Sequence, residues 1–329
     1  MMRRYVLVIL GTVLLWAGSL SAADGDGGYA GAFLQVPIGA RPTAMGGAYL
    51  AISNDGAAPF YNPAGITNLR RPLFASSYRL MNLDRKLGYI TLIFPTRRYS
   101  AIGVHWRYAG SGSVMMRDRD GDPTGTELSH DNNDFSILFA KRFEEYLSAG
   151  VKMYYLHSSF AEMTSSSVGF DVGFMLYVNE MFGRERQGLL PVRDIRIGLT
   201  LKYVQATYIW NNEKFVHRYY SSSTSATEQE DPVPVEFGIG ASARFLKRKL
   251  LVAADLLKNM EQGPIFHGGA EYFVRPEFAL RGGFSDGSFT AGTGFVIDLV
   301  GRVLAIDYAF STDKASEGSE HMFSFDLLF

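Results

Sequence analysis

Beyond about Phe74 the chain alternates apolar and polar positions with a period of two. In Arg193–Val204, Ile195, Ile197, Leu199, Leu201 and Tyr203 fall on one face, and Asp194, Arg196, Gly198, Thr200 and Lys202 on the other. Val235, Phe237, Ile239, Ala241, Ala243 and Phe245 alternate with Glu236, Gly238, Gly240, Ser242 and Arg244. Ile102, Val104, Trp106 and Tyr108 alternate with Gly103, His105 and Arg107, and Val168, Phe170, Val172, Phe174 and Leu176 with Gly169, Asp171 and Gly173. Successive strand side chains point to opposite faces, so each segment predicts a strand with one apolar face and one polar or small face.

The pattern predicts about fourteen strands. They fall near 74–82, 86–95, 99–109, 132–142, 145–158, 166–178, 193–208, 233–245, 249–257, 264–274, 277–284, 288–298, 301–311 and 320–329. Tight turns are expected at Pro95–Arg98, Phe143–Glu145, Lys247–Lys249, Val274–Pro276 and Leu299–Gly301. Longer polar connections are expected at Gly110–Asn132, Ser158–Ser165, Asn211–Asp231 and Thr312–Gly318. Short turns on one side and long loops on the other are the pattern of a transmembrane outer-membrane β-barrel, an all-β fold of antiparallel strands. Asn179–Val192 is too long for its side and is expected to hold a small helix, unless the strand edges lie elsewhere. An even count closing into a barrel is expected to put both chain ends on the same side of a membrane.

Composition agrees. Aromatic residues make up 14% and 35 of 329 residues are Gly, at near-zero mean hydropathy. The net charge of −1 argues against a nucleic-acid partner. There are no cysteines, which excludes disulfides, thiolate metal sites and thiol catalysis. Arg3 and Arg4, the apolar run Tyr5–Trp16 and Ser21-Ala22-Ala23 are laid out as an export signal, so residues 1–23 are expected to be cleaved.

The polar strand faces carry charges of both signs. Arg107, Asp171, Arg196, Lys202, Glu236, Arg244 and Asp307 are expected to face the lumen, with Lys152, Asp194, Arg281 and Asp326. A barrel of this width cannot be filled by its own side chains. Arg41–Ile66 is rich in small residues and too small to form its own core. Met45–Ile52 is expected to form a short helix, with Gly46-Gly47 allowing close contact. Asn54-Asp55-Gly56 predicts a turn. In Tyr61–Gly65, Asn62 is expected to cap, Pro63 to open and Gly65 to end a second piece. Neither a phosphate loop nor a nucleophile elbow fits here.

Gly39-Ala40-Arg41, Met45-Gly46-Gly47-Ala48, Asn54-Asp55 and Asn62-Pro63-Ala64-Gly65 resemble the N-terminal signature of the PorV/PorQ family, within the FadL-like outer-membrane proteins. The resemblance implies a hatch over residues 24–73 plugging a barrel over 74–329. It also implies passive transport of hydrophobic compounds, with Asn62 and Pro63 setting the fold. Its alternative is a PorV-like role, in which the barrel engages secreted cargo or a translocon of a type IX-like secretion system through Gly110–Asn132 and Asn211–Asp231. The last strand, with Phe323, Phe325, Leu327 and the terminal Phe329 on one face, resembles the signal read by the barrel-assembly machinery. Expected partners are outer-membrane lipid, that machinery, and either hydrophobic small molecules or cargo proteins. The six histidines are scattered without metal spacing, and no cofactor, metal or catalytic residue is expected. Asp118–Asp122 resembles part of a calcium loop, but its spacing favours a solvated acidic loop.

Overall fold

The computed structural model describes residues 29–329 except 83, 97–98, 119, 162, 182–191, 212–227, 286 and 313–317. The expected export signal therefore lies outside the described residues. The strands are β1 (Leu73–Leu80), β2 (Lys86–Thr96), β3 (Ser100–Gly110), β4 (Val114–Arg117), β5 (Pro123–Leu128) and β6 (His130–Phe143). Then come β7 (Leu147–Phe160), β8 (Met163–Tyr177), β9 (Arg193–Val204), β10 (Thr207–Asn211), β11 (Glu228–Pro232) and β12 (Glu236–Phe245). The series ends with β13 (Leu250–Asn259), β14 (Ile265–Arg275), β15 (Phe278–Ser285), β16 (Ser288–Leu299), β17 (Arg302–Thr312) and β18 (Ser319–Leu328).

Fourteen of these close into one barrel, in the order β1-β18-β17-β16-β15-β14-β13-β12-β9-β8-β7-β6-β3-β2. All neighbours are antiparallel, and β1 closes on β18 from Leu73↔Leu328 to Leu80↔His321. The start of β1 and the end of β18 thus share one end, called here the short-turn end. The pairs β4–β5 and β10–β11 are separate hairpins at the opposite, long-loop end.

The alternation becomes two surfaces. Ile102 and Val104 are each 47% exposed, Ile137 53% and Phe139 52%, while His105, Leu138 and Ala140 between them are buried. An apolar belt around a closed barrel is stable only against lipid. Closure also leaves no sheet edge to satisfy.

Four local expectations need correction. Ser158–Ser165 is not a loop, because β7 runs to Phe160 and β8 starts at Met163. Its serines read as loop residues, but Ser158 and Ser165 point inward and donate to Asn132 Oδ1 and the Ile209 carbonyl. The strand expected over 193–208 stops at Val204. The β8–β9 register shifts between Phe170 and Val172, and Tyr203 takes a φ of 62°. This bulge turns Tyr203 inward behind Lys202, so Tyr203 does not share the lipid face of Leu201. The N-terminal helix spans Ala40–Ala44 rather than 45–52, because Gly46 (φ 65°) and Gly47 (φ 81°) end it in the left-handed region. Gly65 sits inside the 3₁₀ turn Pro63–Asn68 and does not end it. In the long connection, a short helix spans Val178–Met181, and 182–191 lie outside the described residues.

Candidate functional site

Residues 38–69 lie inside the barrel. Nearly all are buried, with Arg41, Asn54, Asp55, Tyr61 and Asn68 half-buried. This inner segment is seated in two halves.

The first half is held by charge. Arg41 Nε and Nη2 donate to Glu271 of β14 at 2.8 and 2.9 Å, a bidentate pair. Arg41 Nη1 donates to Tyr49 Oη, Asn54 Oδ1 and Asp55 Oδ2 at 3.0, 2.9 and 3.3 Å. Burial works against the Arg41 charge, but Glu271, Tyr49 and Asp55 raise its pKa further above the ordinary value. Tyr49 donates to Asp55. Burial pushes the Tyr49 phenol well above its usual range, with Arg41 pulling the other way. Glu271 also accepts from Arg281 Nε at 2.8 Å, and Arg281 reaches Asp307 at 2.6 Å. Asp255 of β13 accepts the Tyr49 and Leu50 backbone N–H groups at 2.5 and 2.8 Å. Asp326 accepts the Gly56 N–H at 3.0 Å, and Ser324 the Ala40 N–H at 2.7 Å. Between these anchors Met45 and Gly46 lie directly on the wall. A Cβ on Gly46 would meet the Phe284 backbone at 2.5 Å, so the close approach and the positive φ both require glycine.

The second half is held by shape and backbone hydrogen bonds. Asn62 is fully buried between Leu50 and β8. Its Nδ2 donates to the Leu50 and Phe174 carbonyls, both at 3.0 Å, and its Oδ1 accepts the Ala64 N–H at 3.0 Å. Pro63 opens the turn, where its missing N–H costs nothing. Ala64 and Pro63 pack on Gly150, and a Cβ on Gly173 would lie 2.1 Å from Asn62 Oδ1. Asn54, by contrast, turns to Arg41.

Above the segment, toward the long loops, the lumen charges form a knot. Arg107 reaches Asp134 at 3.0 Å, and Lys152 bridges Asp134 and Asp171 at 3.6 and 3.1 Å. Lys202 pairs with Glu236 at 2.9 Å. The Leu34 carbonyl caps the knot, accepting from Tyr203 Oη at 3.0 Å and Arg107 Nη1 at 3.2 Å. Over this floor opens a cavity of about 770 Å³ at the long-loop end. Tyr29, Phe33, Val36, Met81, Leu87, Phe160, Met163, Tyr208 and Trp210 give it an apolar lining, with Arg85, His130 and Asp231 among its polar groups. Arg196 and Arg244 stand apart at the short-turn mouth.

Phe323 and Phe325 face outward on β18, and Phe329 ends exposed beyond it. Leu327, on the same face, is half-buried. Asp118 Oδ1 accepts the Asp120 and Asp122 N–H groups at 3.0 and 2.9 Å, which closes the β4–β5 turn on itself. Among the described residues no three His, Asp or Glu side chains gather as a metal-binding group. The sequence reading did not single out Glu271 or Asp255. Their inward parity on β14 and β13 marks them, but nothing in one sequence says that Arg41 and the Tyr49 N–H would meet them. The cavity was not legible either, since its walls come from seven separate stretches.

No protein-family model and no curated protein matches the sequence. Solved structures do resemble the fold. The Ralstonia pickettii toluene transporter TbuX aligns at a TM-score of 0.60 and 15% identity, over 89% of this chain and 98% of that one. The Pseudomonas putida toluene transporter TodX aligns at 0.57 and 11%, over 88% and 96%. A Pseudomonas aeruginosa FadL homologue aligns at 0.54 and 10%, over 86% and 95%. At these identities the likeness shows a shared fold, here a closed barrel of fourteen antiparallel strands.

Proposed function

We propose that this chain is an outer-membrane channel for hydrophobic compounds, with residues 24–73 as its hatch. The observation that carries the reading is the seating of residues 38–69 across the lumen beneath an apolar cavity open to the long-loop end. An open aqueous porin has no use for such a segment. An apolar solute gains from the cavity lining what it loses in leaving other apolar surroundings. The similar barrels described as toluene transporters support the same solute class. Residues 1–23 would direct export, and the Phe-ended β18 would be read during barrel assembly.

No described feature favours the secretion-partner reading. One of its two contact loops, 110–132, folds as the small β4–β5 hairpin, and the other lies mostly outside the described residues. Uptake of labelled toluene and of a long-chain hydrocarbon, by a deletion strain with and without the restored gene, tests the choice. Restored uptake of either supports the channel. Unchanged uptake with loss of secreted cargo overturns it in favour of secretion.

A further inference from the structure

The inner face of the barrel becomes cationic at the short-turn mouth. Arg142 near the end of β6, Arg196 on β9 and Arg244 on β12 share this face with Tyr177, which ends β8. Two guanidiniums approach the Tyr177 ring, Arg142 at 3.7 Å and Arg196 at 5.5 Å from its centroid. Ser242 stands opposite Arg196 in the β9–β12 register, which sets Arg244 next along the same face.

Acceptors are scarce here among the described residues. Asp194 is shared by Arg244 at 3.8 Å and Arg248 at 3.0 Å. Arg142 uses its Nε and Nη2 on the Glu145 carbonyl. Arg196 has no hydrogen bond or ion pair to any described residue; its guanidinium lies over the Tyr177 ring. A guanidinium is permanently charged and carries five donors in a planar fork, so a half-buried one without an acceptor is an unfilled valence. The surface at this end leans the same way. The β12–β13 turn exposes Lys247, Arg248 and Lys249, whereas the long-loop end exposes Asp118, Asp120 and Asp122.

We propose that Arg196, Arg244 and Arg142, around the Tyr177 ring, form a binding site for one oxyanion of the phosphate or carboxylate class at the short-turn mouth. Arg196 supplies the free fork, Arg244 the second charge, and Tyr177 the surface that fixes the Arg196 and Arg142 planes. The site sits just under the inner segment, because Tyr177 Oη donates to Asn68 Oδ1 at 2.9 Å. It does not depend on what crosses the lumen.

The test is calorimetric titration of the purified barrel, in neutral detergent at low salt, with inorganic phosphate, octyl phosphate and octanol. Both phosphates are expected to bind, and Arg196→Gln to weaken them about tenfold, the loss of one charged hydrogen-bonding partner. Arg244→Gln is expected to weaken them less, and high salt to weaken inorganic phosphate. Equal affinities for the two phosphates assign a free ion. Much tighter octyl phosphate assigns the head of an amphiphile. Octanol binding is expected to be indifferent to both substitutions. Unchanged phosphate binding in Arg196→Gln, or an equal loss of octanol binding, overturns the proposal. Among the described residues Arg196 has no polar partner to orphan, so the variant is expected to keep its fold, which heat-modifiable gel mobility verifies. Channel activity is not read in this titration, so failure here leaves the transport reading to its own test.

Discussion

Arg41 and Asn62 both fasten the inner segment to the wall, and they do so by different physics. Arg41 is a charge among charges, paired with Glu271 and Asp55. Asn62 is a neutral amide whose three hydrogen bonds go to backbone, in a slot cleared by Gly173. A charge anchor is strong while every partner is present and costly when one is removed, since the others stay buried and unpaired. A shape anchor fails by clash or by orphaned backbone groups, and is indifferent to protons. One segment therefore has a half that responds to its ionic surroundings and a half that does not.

Arg41→Ala is expected to have the largest effect, about 3–5 kcal/mol on seating of the first half, the usual cost of breaking a buried ion pair from one side. Hydrogen exchange should speed up over 40–55 while 62–68 stay protected. Asn62→Ala should cost about 3 kcal/mol, because it leaves the Leu50 and Phe174 carbonyls and the Ala64 N–H without a partner. Its exchange pattern should be the reverse. If either variant loosens both halves together, the segment is one cooperative unit and the distinction falls.

A smaller effect should come from alkali. The buried Tyr49 phenol has a raised pKa, so the seated form keeps its proton after a released tyrosine has lost it. Seating is therefore unaffected below the ordinary tyrosine value of about 10 and weakens as pH rises above it. Exchange rates over 40–55 followed from neutral pH upward should show this, and Tyr49→Phe should reduce it. Gly173→Ala should be the mildest of the set, about 1–3 kcal/mol of overpacking against Asn62. It should loosen 62–68 alone.

Much of the wall was legible in the sequence, and the reason is physical. Lipid outside and a polar lumen inside impose a period of two, so each of the fourteen barrel strands lies within a few residues of its expected place. Legibility ended where the backbone departs from that period. The bulge at Lys202–Tyr203 puts two neighbouring residues on the same side, and no composition marks it. The serines of β7 and β8 looked like a loop because they continue strands beyond the apolar belt. The inner segment was legible as something that must bury itself. Its anchors were not, because Glu271 and Asp255 are paired with it across more than 200 residues. Arg196 was expected in the lumen, but only the assembled mouth leaves it without an acceptor among the described residues.

Residues 38–69 are expected to close the lumen. Single-channel conductance in planar bilayers, comparing the intact chain with a variant lacking those residues, measures it directly. Both proteins should first show the heat-modifiable mobility of a closed barrel. The intact protein should be nearly silent, and the deletion should show a large, stable conductance. A deletion variant that assembles and conducts no more than the intact chain would contradict this closure.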